Sequence, residues 1–187
     1  MREKNDNKTR HSFADCYVEI VEKVTDATGV FAAYLLVPMV IVFLIEIITR
    51  NVFNSPTKWA FGTCFILGGI AAVLGLAYGM KHGAMVRIDV IHSRLSEKSR
   101  CILDLILFAI LFLPLTIGGS WLCLSKAISS VMVLEKISSG SWMPPIWPTK
   151  IAMAYGMILL TLQGTVEIIK LIQKLREIKG KEQEANV

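Results

Sequence analysis

Four stretches of this chain carry no charged side chain: residues 29–45, 59–80, 105–125 and 151–166. A helix crossing the hydrocarbon core of a bilayer needs about 20 mostly apolar residues. Three of the runs reach that length with their flanks. The fourth comes close and continues past Glu167 through Ile168 and Ile169. A water-soluble core does not repeat uncharged stretches of this length, since helices at a soluble surface keep a polar face. Only 19% of the 187 residues are charged, against about 25% in soluble domains, and mean hydropathy is +0.55. The sequence therefore predicts an all-α integral membrane protein with four transmembrane helices, at residues 28–49, 58–80, 103–125 and 149–171. This membrane domain, 28–171, follows an N-terminal segment, 1–27, and precedes a polar tail, 172–187.

The basic residues predict orientation. Five lie before the first span, five between the second and third spans, and five from Lys170 onward. The other two connections hold only Arg50 and Lys58, and Lys126, Lys136 and Lys150. The positive-inside rule then puts both termini and the loop from Lys81 to Arg100 in the cytoplasm. The net charge of +5 is topogenic, assisted by anionic membrane lipids, and calls for no nucleic acid. The first 27 residues mix both signs of charge, and "EIITRN" follows the first apolar run where a cleavage site would need small residues. The first span is thus expected to stay as a signal anchor.

Enzyme classes find little support. Cys16, Cys64, Cys101 and Cys123 form no CxxC pair and read as small packing residues. His11, His82 and His92 all lie outside the predicted spans, so no span offers the histidine ligand that a membrane-bound haem usually needs. No nucleophile–base pair, phosphate-cradling glycine loop or metal cluster is visible. The expectation is a non-enzyme with no cofactor, no metal and no catalytic or substrate-binding residue in this chain.

The candidate sites are structural. Glu46 and Arg50, spaced i, i+4 at the end of the first span, share a helix face and can pair. Carboxylates within membranes are often functional, but a partner one turn away favours a structural ion pair. Gln163 is placed to hydrogen-bond across helices. Gly68, Ala72, Gly75 and Gly79 form a small-residue stripe, which permits close helix approach either within the chain or to a partner. Pro38 is expected to bend the first span. Phe13, Tyr17, Ile20 and Val24 recur at helical spacing, predicting an amphipathic helix along the cytoplasmic interface. In "SGSWMPPIWPTK", Trp142 and Trp147 are interface-seeking aromatics, and three prolines impose an extended entry into the last span.

Four blocks of this sequence, in order, carry a resemblance. "RNVFNSPTKWAF" resembles an Arg-x-x-Phe-Asn turn with Trp59 opening the second span. "HGAMVRIDVIHSRLS" is similar to a Gly-His-Val-Arg-Val-Asp block in a cytoplasmic loop, and "SWMPPIWPTK" and "LLTLQGTVE" to the lead-in and body of a last helix. Together they resemble the small membrane subunit, of DctQ type, of tripartite ATP-independent periplasmic (TRAP) transporters, in the branch labelled mannitol/chloroaromatic-compound type. Two departures are Met85, where the family often has histidine, and Phe61, Gly62 and Thr63, where acidic residues commonly follow the tryptophan. The resemblance implies a bacterial inner-membrane scaffold subunit. Its partners would be a large membrane subunit of DctM type, which carries an organic acid anion (carboxylate or sulfonate) by sodium symport, and a periplasmic substrate-binding protein. It implies that Arg87 and Asp89 order the loop or contact the partner. The competing reading is a standalone tetraspan protein, either an enzyme's membrane anchor or a small carrier.

Overall fold

The computed structural model describes residues 2–83, 97–136 and 144–184. Helix dominates them: α1 (Arg2–Val52), α2 (Ala60–Lys81), α3 (Glu97–Leu107), a π-helical turn (Phe108–Phe112), α4 (Leu113–Val133) and α5 (Trp147–Glu184). The described residues contain no strand, only one isolated bridge between Lys136 and Pro145. Four helical stretches are long and apolar enough to cross a membrane: Asp15–Val52, Ala60–Lys81, Ser99–Val133 and Trp147–Arg176. The four expected spans are therefore present, the third built from α3, the π-turn and α4.

The third span runs to Val133, eight residues beyond the expected end, because nothing in Lys126–Val133 breaks a helix. Leu134 then takes a left-handed conformation, φ 48°, and ends it. The π-turn has a local cause. Pro114 lacks an N–H and cannot satisfy the carbonyl one turn back, and the chain absorbs this by widening the preceding turn. The widened turn carries Phe108 and Phe112, whose ring centroids lie 5.2 Å apart with the planes tilted by 49°. Both pack on the buried cluster of Ala77, Met80, Leu159 and Leu160.

The expected interfacial helix is not a separate element. It is the N-terminal part of α1, which continues through Pro38 without interruption. Ile20 and Val24 of its stripe are exposed, Tyr17 reaches Thr165 of α5 with its hydroxyl, and Val21 and Thr25 turn into the protein. The segment stands against the end of α5 because its polar residues find partners there, as described below.

The helices form a row rather than a closed bundle. α2 lies between α1 and α5, and α3, the π-turn and α4 pack on α5. Burial follows this order. Only 6% of the most apolar window of α1 is buried within the chain, against 39% for α5. α5 is thus the axle of the subunit, and α1 is a lever held by α2. At the α2–α5 crossing the backbones approach closely. A Cβ added at Gly156 would lie 2.6 Å from Val73 Cγ1 and 3.1 Å from the Val73 carbonyl oxygen. A Cβ at Gly164 would sit 2.6 Å from the Phe112 ring. Small residues here bring the helices into the contact that membrane packing relies on.

Candidate functional site

At one end of the row, Glu46 closes the turn between α1 and α2. Its helical register places it above the connection, and Asn54, at φ 51°, reverses the chain beneath it. Glu46 Oε1 accepts from Arg50 Nη2 at 2.8 Å, and Oε2 accepts from the Thr57 amide at 3.1 Å and from the Thr57 hydroxyl. The Ser55 amide donates to the Thr49 carbonyl at 3.2 Å. Both Glu46 oxygens are therefore engaged, with only 11% of the side chain exposed. The expected Glu46–Arg50 pair is present; the Thr57 contacts could not be read from spacing alone, because the turn brings them together across 11 positions. Through these bonds Glu46 clips the α1–α2 turn together. Trp59 is the N-cap residue of α2 just beyond this turn and is 39% exposed, as suits an interfacial aromatic.

At the other end, α1, α2 and α5 are laced by polar contacts. Lys81 Nζ lies 2.6 Å from Asp26 Oδ2 and 3.7 Å from Glu22 Oε2, and it also donates to the Glu22 carbonyl oxygen at 3.3 Å. Lys170 bridges Glu22 at 2.6 Å and Glu167 at 3.5 Å. Deeper in, Thr25 donates to Gln163 Oε1 at 3.1 Å, with both residues fully buried. The Gln163 amide nitrogen has no partner among the described residues. Thr28 and Tyr155 hydroxyls meet at 3.2 Å, and those of Tyr17 and Thr165 at 2.8 Å. The expected cross-helix bond of Gln163 is thus found. The lattice around it is not legible in the sequence, because Lys81 and Lys170 read as topogenic charge and no local spacing ties Glu22 or Asp26 to α2 or α5. One signal was available: Glu22 and Asp26 are spaced i, i+4 and share a face.

The small-residue stripe on α2 lies largely off the seam with its own chain. The buried positions of α2 are Ala60, Ala71, Leu74, Ala77 and Met80. Ala72 is exposed, and a Cβ at Gly75 would meet nothing within 4 Å. A Cβ at Gly68 would lie 3.4 Å from the Met39 sulfur of α1, and Gly79 is half-buried.

The α4–α5 connection closes on itself. The Ile146 amide donates to the Glu135 carbonyl at 2.9 Å, and Lys150 pairs with the Glu135 carboxylate. The Lys150 hydrogen bond, with help from Ser130, holds the Glu135 carboxyl below its ordinary range. Trp147 is the first residue of α5 and is half-buried. Arg87, Asp89 and Trp142 lie outside the described residues.

All four cysteines are free. Among the described residues no group of three His, Cys, Asp or Glu side chains could hold a metal ion. Within the spans the Ser120 and Thr161 hydroxyls meet at 3.0 Å, and those of Thr116 and Thr161 also donate to carbonyls of their own helices. The family model for the DctQ component of tripartite ATP-independent periplasmic transporters matches residues 39–174. A search of curated proteins finds no match.

Proposed function

The chain belongs to the DctQ family, the small membrane component of TRAP transporters, and from that premise we propose that it is the fixed scaffold of a sodium-driven importer of an organic acid anion. The family is a transporter component and not an enzyme. Its members partner a large DctM-type membrane subunit and a periplasmic binding protein.

The observation that most supports a scaffold role is the imbalance of burial along the row. α1 is anchored at both ends, by the Glu46 clip and by the lattice around Lys81, yet its middle buries almost nothing within the chain. A helix held upright with an uncovered apolar face suits a subunit completed by another. Pairing among the polar groups of the spans leaves the solute route to the large subunit. The site residues then serve assembly: Glu46, Arg50 and Trp59 shape the α1–α2 turn. Gly68, Ala72, Gly75 and Gly79 offer the large subunit a close approach. On the same reading Arg87 and Asp89 order the cytoplasmic loop or contact the partner, and Trp142 and Trp147 are interface-seeking aromatics. The fifteen basic residues assigned to one side and five to the other orient both termini toward the cytoplasm of a bacterial inner membrane.

The test is reconstitution. Co-expressed with its partners and purified in mild detergent, the chain should elute with the large subunit. Vesicles holding the assembled transporter and supplied with the binding protein should accumulate a carboxylate or sulfonate only under an inward sodium gradient. Uptake indifferent to sodium overturns the coupling, and uptake without this chain overturns the scaffold role. For orientation, single cysteines replacing Ser96 and Ser139 in a cysteine-free background are probed on intact cells with an impermeant thiol reagent. Ser139→Cys should react and Ser96→Cys should not.

A further inference from the structure

Beside the Glu46 clip, α1 and α2 flank a cleft of about 380 Å³, within the roughly 300–1,000 Å³ typical of small-molecule sites. Its wall is apolar, formed by Met39, Phe43, Ile47, Phe61, Cys64 and Phe65, and it ends at Glu46, Arg50 and Asn51. We propose that this cleft holds one acyl chain of an anionic phospholipid, with its phosphate on Arg50 and Lys58.

The lining selects an amphiphile. In a bilayer an apolar groove gains little by simple hydrophobicity, since the surrounding tails are equally apolar. A resident chain must therefore be fixed by packing and by its headgroup. The charge at the end of the cleft supplies the second term. Glu46 is buried and fully engaged, so it presents little negative charge outward. Arg50 spends one nitrogen on Glu46 and leaves 65% of its side chain exposed. Arg50 lines the end of the cleft, and Lys58 directly follows Thr57, which bonds the same carboxylate. Lys58 is exposed and forms no ion pair among the described residues. An apolar slot that ends under a net positive rim is the complement of a hydrocarbon chain ending in a phosphodiester. A helix of the large subunit would fill the slot but would have no need of the two cations.

The experiment compares immobilised spin-labelled phosphatidylglycerol and phosphatidylcholine by electron paramagnetic resonance. It uses vesicles holding either this chain alone or the assembled transporter. In both, one phosphatidylglycerol per chain should be immobilised beyond the phosphatidylcholine count. Ile47→Trp, which puts an indole into the cleft from a 41% exposed position, should abolish that extra lipid. Ile48→Trp, on a more exposed neighbour outside the lining, should keep it. Lys58→Gln should lower the preference for phosphatidylglycerol about five-fold, the effect of one basic residue at an anionic surface. Equal counts for the two lipids, or an Ile47→Trp chain that still holds the extra one, overturn the proposal. So does a lipid present on the chain alone and lost from the assembled transporter, which would make the large subunit the occupant.

Discussion

Gly156→Ala sets two effects of opposite sign against each other. An alanine in a helix interior is worth about 1 kcal/mol over glycine by propensity alone, so at an open position this change would stabilise α5. Gly156 is not open. The new methyl would sit 2.6 Å from Val73 Cγ1, 3.1 Å from the Val73 carbonyl oxygen and 3.2 Å from the carbonyl carbon. Val73 cannot simply swing aside, because a β-branched side chain in a helix has one strongly preferred rotamer, and its carbonyl moves only if α2 moves. Overpacking of this kind costs about 1–3 kcal/mol, so the steric term should exceed the gain in propensity and leave a net loss of about 1 kcal/mol. The assay is reversible unfolding in mixed micelles for the parent chain, Gly156→Ala, Val73→Ala and the double variant. The cycle should show a favourable coupling of about 1 kcal/mol, within the range for residues in contact, because Val73→Ala removes the nearest clash. A Gly156→Ala chain more stable than the parent, with no coupling to Val73, would refute the close α2–α5 approach.

The remaining expectations concern the two ends of the row. Thr25→Val and Gln163→Leu should each destabilise by about 0.6–1.7 kcal/mol, the range for polar pairs between membrane helices. The double variant should lose less than the sum, because neither group is then left without its mate; strict additivity in the same unfolding assay would count against the bond. Glu46→Gln should reduce recovery of the assembled transporter, as the clip loses its charge against Arg50, while leaving the sodium activation of uptake in place; a strongly shifted activation curve in an intact complex would show Glu46 to be more than a clip. Gly75→Leu should leave the chain's own unfolding unchanged, since its side chain enters open space, yet weaken co-purification with the large subunit, whereas Leu76→Ile should alter neither. Finally, Glu135 is held below its ordinary value of 4.5, so its pairing with Lys150 stabilises above that value and is lost as pH falls through the depressed one. Thermal stability should drop slightly more on acidification below pH 4.5 for the parent than for Glu135→Gln, a small difference because the pair is partly exposed.

Charge and hydropathy alone determined the number of spans and their order. Each span is a local property: an uncharged run long enough to cross hydrocarbon must satisfy its backbone internally and so becomes a helix. The Glu46–Arg50 pair was legible for the same reason, being one helical turn apart. The four ordered motif blocks likewise carried the family, whose model matches residues 39–174.

The row of helices was a tertiary matter. Periodicity shows that α5 has apolar faces but not that α2 and α4 cover most of them while the N-terminal half of α1 meets α5 through polar pairs. Within a bilayer nearly every face is apolar, so hydropathy loses the inside–outside contrast that locates a soluble core. For that reason the stripe on α2 was equally compatible with packing inside the chain and outside it, until the structure put the buried seam on Ala71, Leu74, Ala77 and Met80 and left Gly75 in open space. The lattice of Glu22, Asp26, Lys81 and Lys170 joins residues up to 148 positions apart in sequence (22 to 170) only because α1 does not stop at the first span but runs alongside α5. What the sequence took for an independent interfacial helix was drawn into that continuous one by partners on α2 and α5, since a charge near the membrane is stabilised by an opposite charge wherever the fold supplies it.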